Sequence, residues 1–141
     1  MFIIFKDTTI SLTSQTNSTL LSHVNMQSLQ ILLDGELYPY LPQMEDFGSN
    51  KYSNFYERFK EVCIAMTGEC TMSMKEYRDL YPIFAFDLRA QTTKIKNQVV
   101  PMTIIGTRNT NVPSSVNMYV YGFQEQFYKA EYIKNLISPI S

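Results

Sequence analysis

Apolar residues recur along this chain with two periods. A period of two marks a strand packed by one face, and a period near 3.6 marks a helix. The period of two dominates. MFIIFKDTT opens with five apolar residues ahead of Lys6 and Asp7 and reads as a first strand. In residues 8–13, Ile10 and Leu12 fall on one side and Thr9, Ser11 and Thr13 on the other. After the polar connection SQTNST, the stretch SLQILLDGEL (28–37) places Leu29, Ile31 and Leu33 together, and Asp34-Gly35 marks a tight hairpin turn. YPYLP (38–42) carries two prolines, which cannot sit in the middle of a sheet. In YPIFAFDLRAQ (81–91), Phe84, Phe86 and Leu88 point one way and Ile83, Ala85, Asp87 and Arg89 the other, so a strand is predicted over 82–89. Further strands are predicted near 98–106 and 116–124. In the last, Tyr119, Tyr121 and Phe123 alternate with Met118, Val120 and Gly122. RNTNVPSSVN (108–117) is a loop by composition.

The period of 3.6 occurs once at length. Phe55, Phe59, Val62 and Met66 form one stripe, with Glu57, Arg58, Lys60 and Glu61 opposite. Ser53 is the expected cap and Gly68 the expected stop. Ser73-Met74-Lys75-Glu76 has the form of a capping box and predicts a short helical turn over 74–80, closed by Pro82. Residues 125–137 fit either a helix face, through Phe127, Ala130, Ile133 and Ile137, or a final hairpin. Five to eight strands around one helical insertion, with no regular strand–helix alternation, point to an antiparallel sandwich or barrel.

Composition sharpens this picture. The chain has 141 residues, which suits one domain. Ten Tyr and nine Phe without a Trp favour pleated, half-buried surfaces. A net charge of −1 supplies no field for nucleic acid or an anionic membrane. The apolar start is too short for a secretory leader or a membrane span. Cys63 and Cys70 are the only cysteines, too few for a disulfide framework, so free thiols in a reducing compartment are expected. Asn17-Ser18-Thr19 matches a glycosylation acceptor, which matters only in a secreted chain.

Candidate chemistry is sparse. His23 is the only histidine, which excludes a site built on paired histidines. A Ser–His or Cys–His pair would have to use it, and no motif surrounds it. Cys63 and Cys70 match no zinc spacing. Glu45 with Asp46, or Asp79 with Asp87, could form an acid–base pair, but the chain gives no defined separation. No glycine-rich phosphate loop occurs. Lys129 near Phe127 and Tyr128 is balanced by Glu125 and Glu131, which argues against nucleic-acid stacking. The abundant tyrosines suit packing against a partner or a copy.

Four stretches in order carry a resemblance: LDGELYPYLPQMEDF (33–47), SNFYERFKEV (53–62), EYRDLYPIFAFDLRAQ (76–91) and NTNVPSSVNMYVYGF (109–123). Together they resemble the C-terminal part of double jelly-roll major capsid proteins of the Polinton/Maverick and adintovirus type, over roughly residues 28–135. The resemblance implies a fold: one all-β antiparallel jelly-roll sandwich or barrel over 1–141, with a helical insertion at about 54–67 and the tail drawn toward strands. It implies a structural protein without catalytic residues, cofactor or metal. Such a protein self-assembles into a trimeric capsomer and contacts neighbouring capsid subunits. A full subunit of that family is several times longer, so the match covers the second of its two barrels, and the chain is expected to be a fragment, a remnant or a repurposed domain. The location implied is the virion, or otherwise the cell interior, with neither nucleic acid nor membrane as partner. Candidate interface residues are Asp87 and Arg89 on the polar side of their strand, and Tyr38, Tyr40 and Tyr52 as loop aromatics. Two alternatives accompany this reading: a β-sandwich binding a protein or carbohydrate through those loops, and a carboxylate-based enzyme.

Overall fold

A computed structural model of the chain describes residues 1–9, 19–89 and 101–123. The expectations for Ile10 to Thr13, Asn17 and residues 125–137 lie outside the described residues. The elements in chain order are β1 (Phe2–Asp7), β2 (Met26–Leu33), β3 (Glu36–Tyr38), α1 (Ser53–Thr67), α2 (Met74–Asp79), β4 (Phe84–Ala85), β5 (Met102–Arg108) and β6 (Val116–Tyr121). The fold is mainly β. The strands form two antiparallel three-stranded sheets, ordered β4-β1-β6 and β3-β2-β5. The pairing is nested: the first strand pairs with the last, Phe2 opposite Tyr121 through Asp7 opposite Val116. The second pairs with the fifth, Leu33 opposite Met102 through Met26 opposite Arg108, with a register shift between Met26 and Ser28.

Local chemistry sets each element. The β2–β3 hairpin turns on Asp34 and Gly35, both at positive φ (50° and 82°), the conformation a two-residue hairpin needs. Leu29 and Ile31 enter the core from one face of β2. Ser28 and Gln30 are buried on the other, where Ser28 Oγ lies 2.7 Å from Thr107 Oγ1 and Gln30 Nε2 donates to the Pro39 carbonyl at 2.7 Å. β2 is therefore buried on both sides because its polar residues find partners.

α1 begins one residue earlier than its apolar stripe predicts. Ser53 is not its cap; it is the first helical residue, Tyr52 occupies the cap position, and Tyr52 makes no side-chain capping bond. The acceptor comes from a distance: buried Glu45 takes the Asn54 amide at 3.1 Å through Oε1. The helix stops at Gly68, whose φ of 86° and N–H to the Ile64 carbonyl at 2.8 Å form a left-handed cap. α2 carries its predicted capping box, Ser73 and Glu76 each accepting from the other's backbone amide.

The core lies where α1 and α2 meet β1, β2 and β4. Phe84, fully buried, sits edge-on to Phe55 (4.9 Å between ring centroids), Phe5 (5.8 Å) and Phe47 (6.2 Å). Tyr77, also fully buried, packs against Tyr56 and Phe59 and donates its hydroxyl to the Ile83 carbonyl at 3.1 Å. Burial pushes the Tyr77 phenol far above its ordinary value, so it stays a neutral donor.

The strand expected over 82–89 is much shorter. Its ladder covers Phe84 and Ala85, and Phe86 adds a reciprocal backbone pair with Met1. The one-sided alternation also fails: Phe84, Ala85 and Phe86 are all buried. Beyond Phe86 the Asp87 carboxylate accepts the Arg89 amide at 3.0 Å, a local turn that competes with the ladder.

Candidate assembly surface

β5 and β6 are each one outer strand of a sheet among the described residues, with β3 and β4 at the opposite edges. Both carry apolar side chains on both faces, as MTIIGTR and VNMYVY read. Met102, Ile105, Met118, Tyr119, Val120 and Tyr121 are all exposed. Phe123, just past β6, is 63% exposed although its ring meets Phe2 edge-on at 5.6 Å. An exposed outer strand presents a row of backbone donors and acceptors, and an apolar one favours pairing with another chain.

A groove of about 660 Å³ joins these strands to α1. Met102 lines it from β5, Val120 from β6, and Val62 and Met66 from the last turns of α1. Met66 was expected to complete the buried stripe of the helix; instead it is exposed at this groove, while Phe55 and Phe59 reach the core. The polar rim is Asp87 with Arg89. Their contact is bidentate: Arg89 Nε lies 2.9 Å from Oδ1, and Nη2 lies 2.6 Å from Oδ2. Hydrogen bonds from the Arg89 side chain, then from its backbone amide, hold the Asp87 carboxyl down at about 2. The N-terminal ammonium adds its attraction to the same carboxylate.

The three tyrosines singled out from the sequence do not form one surface. Tyr40 is 81% exposed, and Leu41 and Met44 beside it are also exposed. Tyr38 ends β3, donates to Glu36 Oε2 at 2.6 Å, and borders a smaller cavity of about 200 Å³ with Arg58 and Asp87. Tyr52 is a correction: at 7% exposure it belongs to the core, its ring stacked on Phe47 at 5.2 Å and 8°. Pattern could not separate Tyr52 from Tyr40, because burial here depends on Phe47, Phe55 and the first turn of α1 arriving from either side.

The carboxylates and the histidine lie elsewhere. Glu45 is committed to the start of α1, and Asp46 holds the turn at Gly48 and Ser49 through side-chain acceptors. Asp79 and Asp87 line different clefts. Asp79 pairs with Arg78, which also donates to Asn50 and lies over the Tyr52 ring at 6.0 Å. His23 stacks on Phe47 at 4.6 Å and 2°, and its Nδ1 accepts the Asn25 amide at 3.0 Å. That bond assigns the proton to Nε2 in the neutral ring. Burial, then the nearby Arg78 charge, lowers the His23 pKa. A cleft of about 480 Å³ lies between His23, Arg78 and Asp79, with its charges already paired. Among the described residues, no group of three or more His, Cys, Asp or Glu could hold a metal ion, and no helix is long and apolar enough to cross a membrane.

Comparison with known proteins adds no relative: no family model, curated protein or solved structure matches the chain.

Proposed function

We propose that this chain is a jelly-roll structural protein of the capsid type, working by self-association through β5, β6 and the groove between them. The observation that carries the reading is the pairing order. In an eight-stranded roll the third strand lies between the sixth and the eighth, and the fourth between the fifth and the seventh. β1 lies between β4 and β6, and β2 between β3 and β5. The described strands thus read as the third to eighth of such a roll, with α1 and α2 inserted between the fifth and the sixth. In that topology the first and second strand positions lie against the outer edges of β6 and β5. Those are the edges whose apolar side chains stand exposed. The resemblance of LDGELYPYLPQMEDF, DLYPIFAFDL and NVPSSVN to double jelly-roll capsid proteins supports the same class. A net charge of −1 leaves copies with little mutual repulsion, and closed symmetric assembly, most simply a trimer, is the expectation.

Light scattering on a sizing column tests this. The reading expects a discrete trimer or larger closed species, and a monomer for the double variant Ile105→Lys/Val120→Lys. A folded wild-type chain that stays monomeric at every concentration contradicts it.

A second reading, a sandwich that binds a protein or carbohydrate partner through a loop, draws on the exposed Tyr40, Leu41 and Met44. Tyr40→Ala separates the two. It leaves the oligomer intact under the first reading and abolishes partner binding, with no oligomer to lose, under the second.

A further inference from the structure

Cys63 and Cys70, expected from the sequence as two unrelated free thiols, are brought together by the end of α1. Gly68 stops the helix and folds the chain back, and Thr67 Oγ1 lies 2.9 Å from the Cys63 carbonyl oxygen and 2.6 Å from that of Glu69. This return places the Glu69 carbonyl, on the peptide that leads into Cys70, 3.6 Å from Cys63 Sγ. The segment beyond is pinned to the same helix by the Tyr56 hydroxyl, which donates to the Met72 carbonyl at 3.0 Å. Both cysteines are half-buried against the core cluster, and both are reduced. Burial, then the neighbouring Cys63 side chain, pushes the Cys70 thiol up. A raised thiol is a poor nucleophile toward strangers, while a sulfur at its side needs no diffusion to reach it.

We propose that Cys63 and Cys70 are a dithiol pair that closes to an intramolecular disulfide when exposed to a low-molecular-weight disulfide such as oxidised glutathione. One protein thiolate attacks a glutathione sulfur, forming a mixed disulfide and releasing one glutathione thiolate. The second protein thiolate then attacks the protein sulfur of that mixed disulfide and expels the other glutathione. The protein gives up two electrons and two protons, and one oxidised glutathione becomes two reduced ones. The resulting clasp ties the last turns of α1, and so the Val62 and Met66 wall of the groove, to the segment entering α2.

The test uses the folded wild-type chain. It is incubated with oxidised glutathione, quenched in acid, and its intact mass is read without reductant. The expected product is a monomer lighter by about 2 Da, with both thiols lost together and restored by reductant. Cys63→Ser and Cys70→Ser should instead each retain one glutathione. Three results overturn the proposal: persistent glutathione adducts on the wild type, disulfide-linked dimers as the main product, or two thiols that survive the treatment.

Discussion

β4 and β6 flank the same strand, β1, and meet different fates. Phe84 on β4 is wholly buried; Val120 on β6 is 38% exposed. Both strands are apolar and both pair antiparallel to β1. The difference is what lies over them. α1 delivers Phe55 onto Phe84, whereas no described element covers β6. The second sheet repeats the contrast: β2 is buried on both faces, and its outer neighbour β5 stands exposed. A strand's own pattern thus fixes that it is a strand, and its neighbours fix whether it is core. The closed side carries the stability of the fold. The open side is the one that the proposed function assigns to assembly.

The contrast can be broken or sharpened by matched substitutions, read by denaturant unfolding of dilute protein. Phe84→Ala removes a ring packed on three others and should cost about 3–5 kcal/mol. Val120→Ala on the other side of β1 should stay within about 0.5 kcal/mol, since its site is already open. Equal costs at the two positions would erase the distinction between the sides.

Glu45→Ala comes next. It strips the buried acceptor from the Asn54 amide and should lose about 1–3 kcal/mol, with Glu45→Gln recovering part of it because one acceptor remains. Tyr77→Phe keeps the ring and orphans the Ile83 carbonyl, for about 1 kcal/mol. Far-ultraviolet circular dichroism during unfolding distinguishes a helix that starts late from a global loss.

The smallest effect is a pH dependence. Burial lowers the His23 pKa from its ordinary 6.5, so the unfolded chain binds the proton more readily than the folded one. Stability from this group is complete above that ordinary value. It declines as the pH falls through 6.5 toward the lower folded value, where the decline ends. Unfolding midpoints measured between about pH 7 and pH 5 should show the slope, and His23→Asn should flatten it. The Asp87–Arg89 pair adds little slope in that range, because its contribution is lost only as the pH falls through the ordinary 3.8 toward about 2.

Much of the closed side was legible in the sequence. The Asp34-Gly35 turn, the Ser73–Glu76 box and the Gly68 stop are local signals, each satisfied by groups a few residues away, and the Phe55–Phe59 stripe shows in the helical period. What was not legible depends on distant partners. Glu45 replaces Ser53 at the start of α1 because a buried carboxylate arrives from another segment. Tyr52 leaves the surface because Phe47 stacks on it. The open side was half legible. Apolar residues stand at both parities of VNMYVY, yet apart from Val116, which packs against the core, they are exposed. The paired thiols needed the Gly68 turn to be seen as one unit.

The central claim is that β5 and β6 are the edges through which copies pair. Amide hydrogen exchange followed along both strands as the protein is concentrated tests it most directly. The account predicts that outer-edge amides of β5 and β6 exchange fast in dilute protein and become protected as concentration rises, while β1 and β2 stay protected throughout. Exchange along β5 and β6 that is equally fast in dilute and concentrated protein would contradict it.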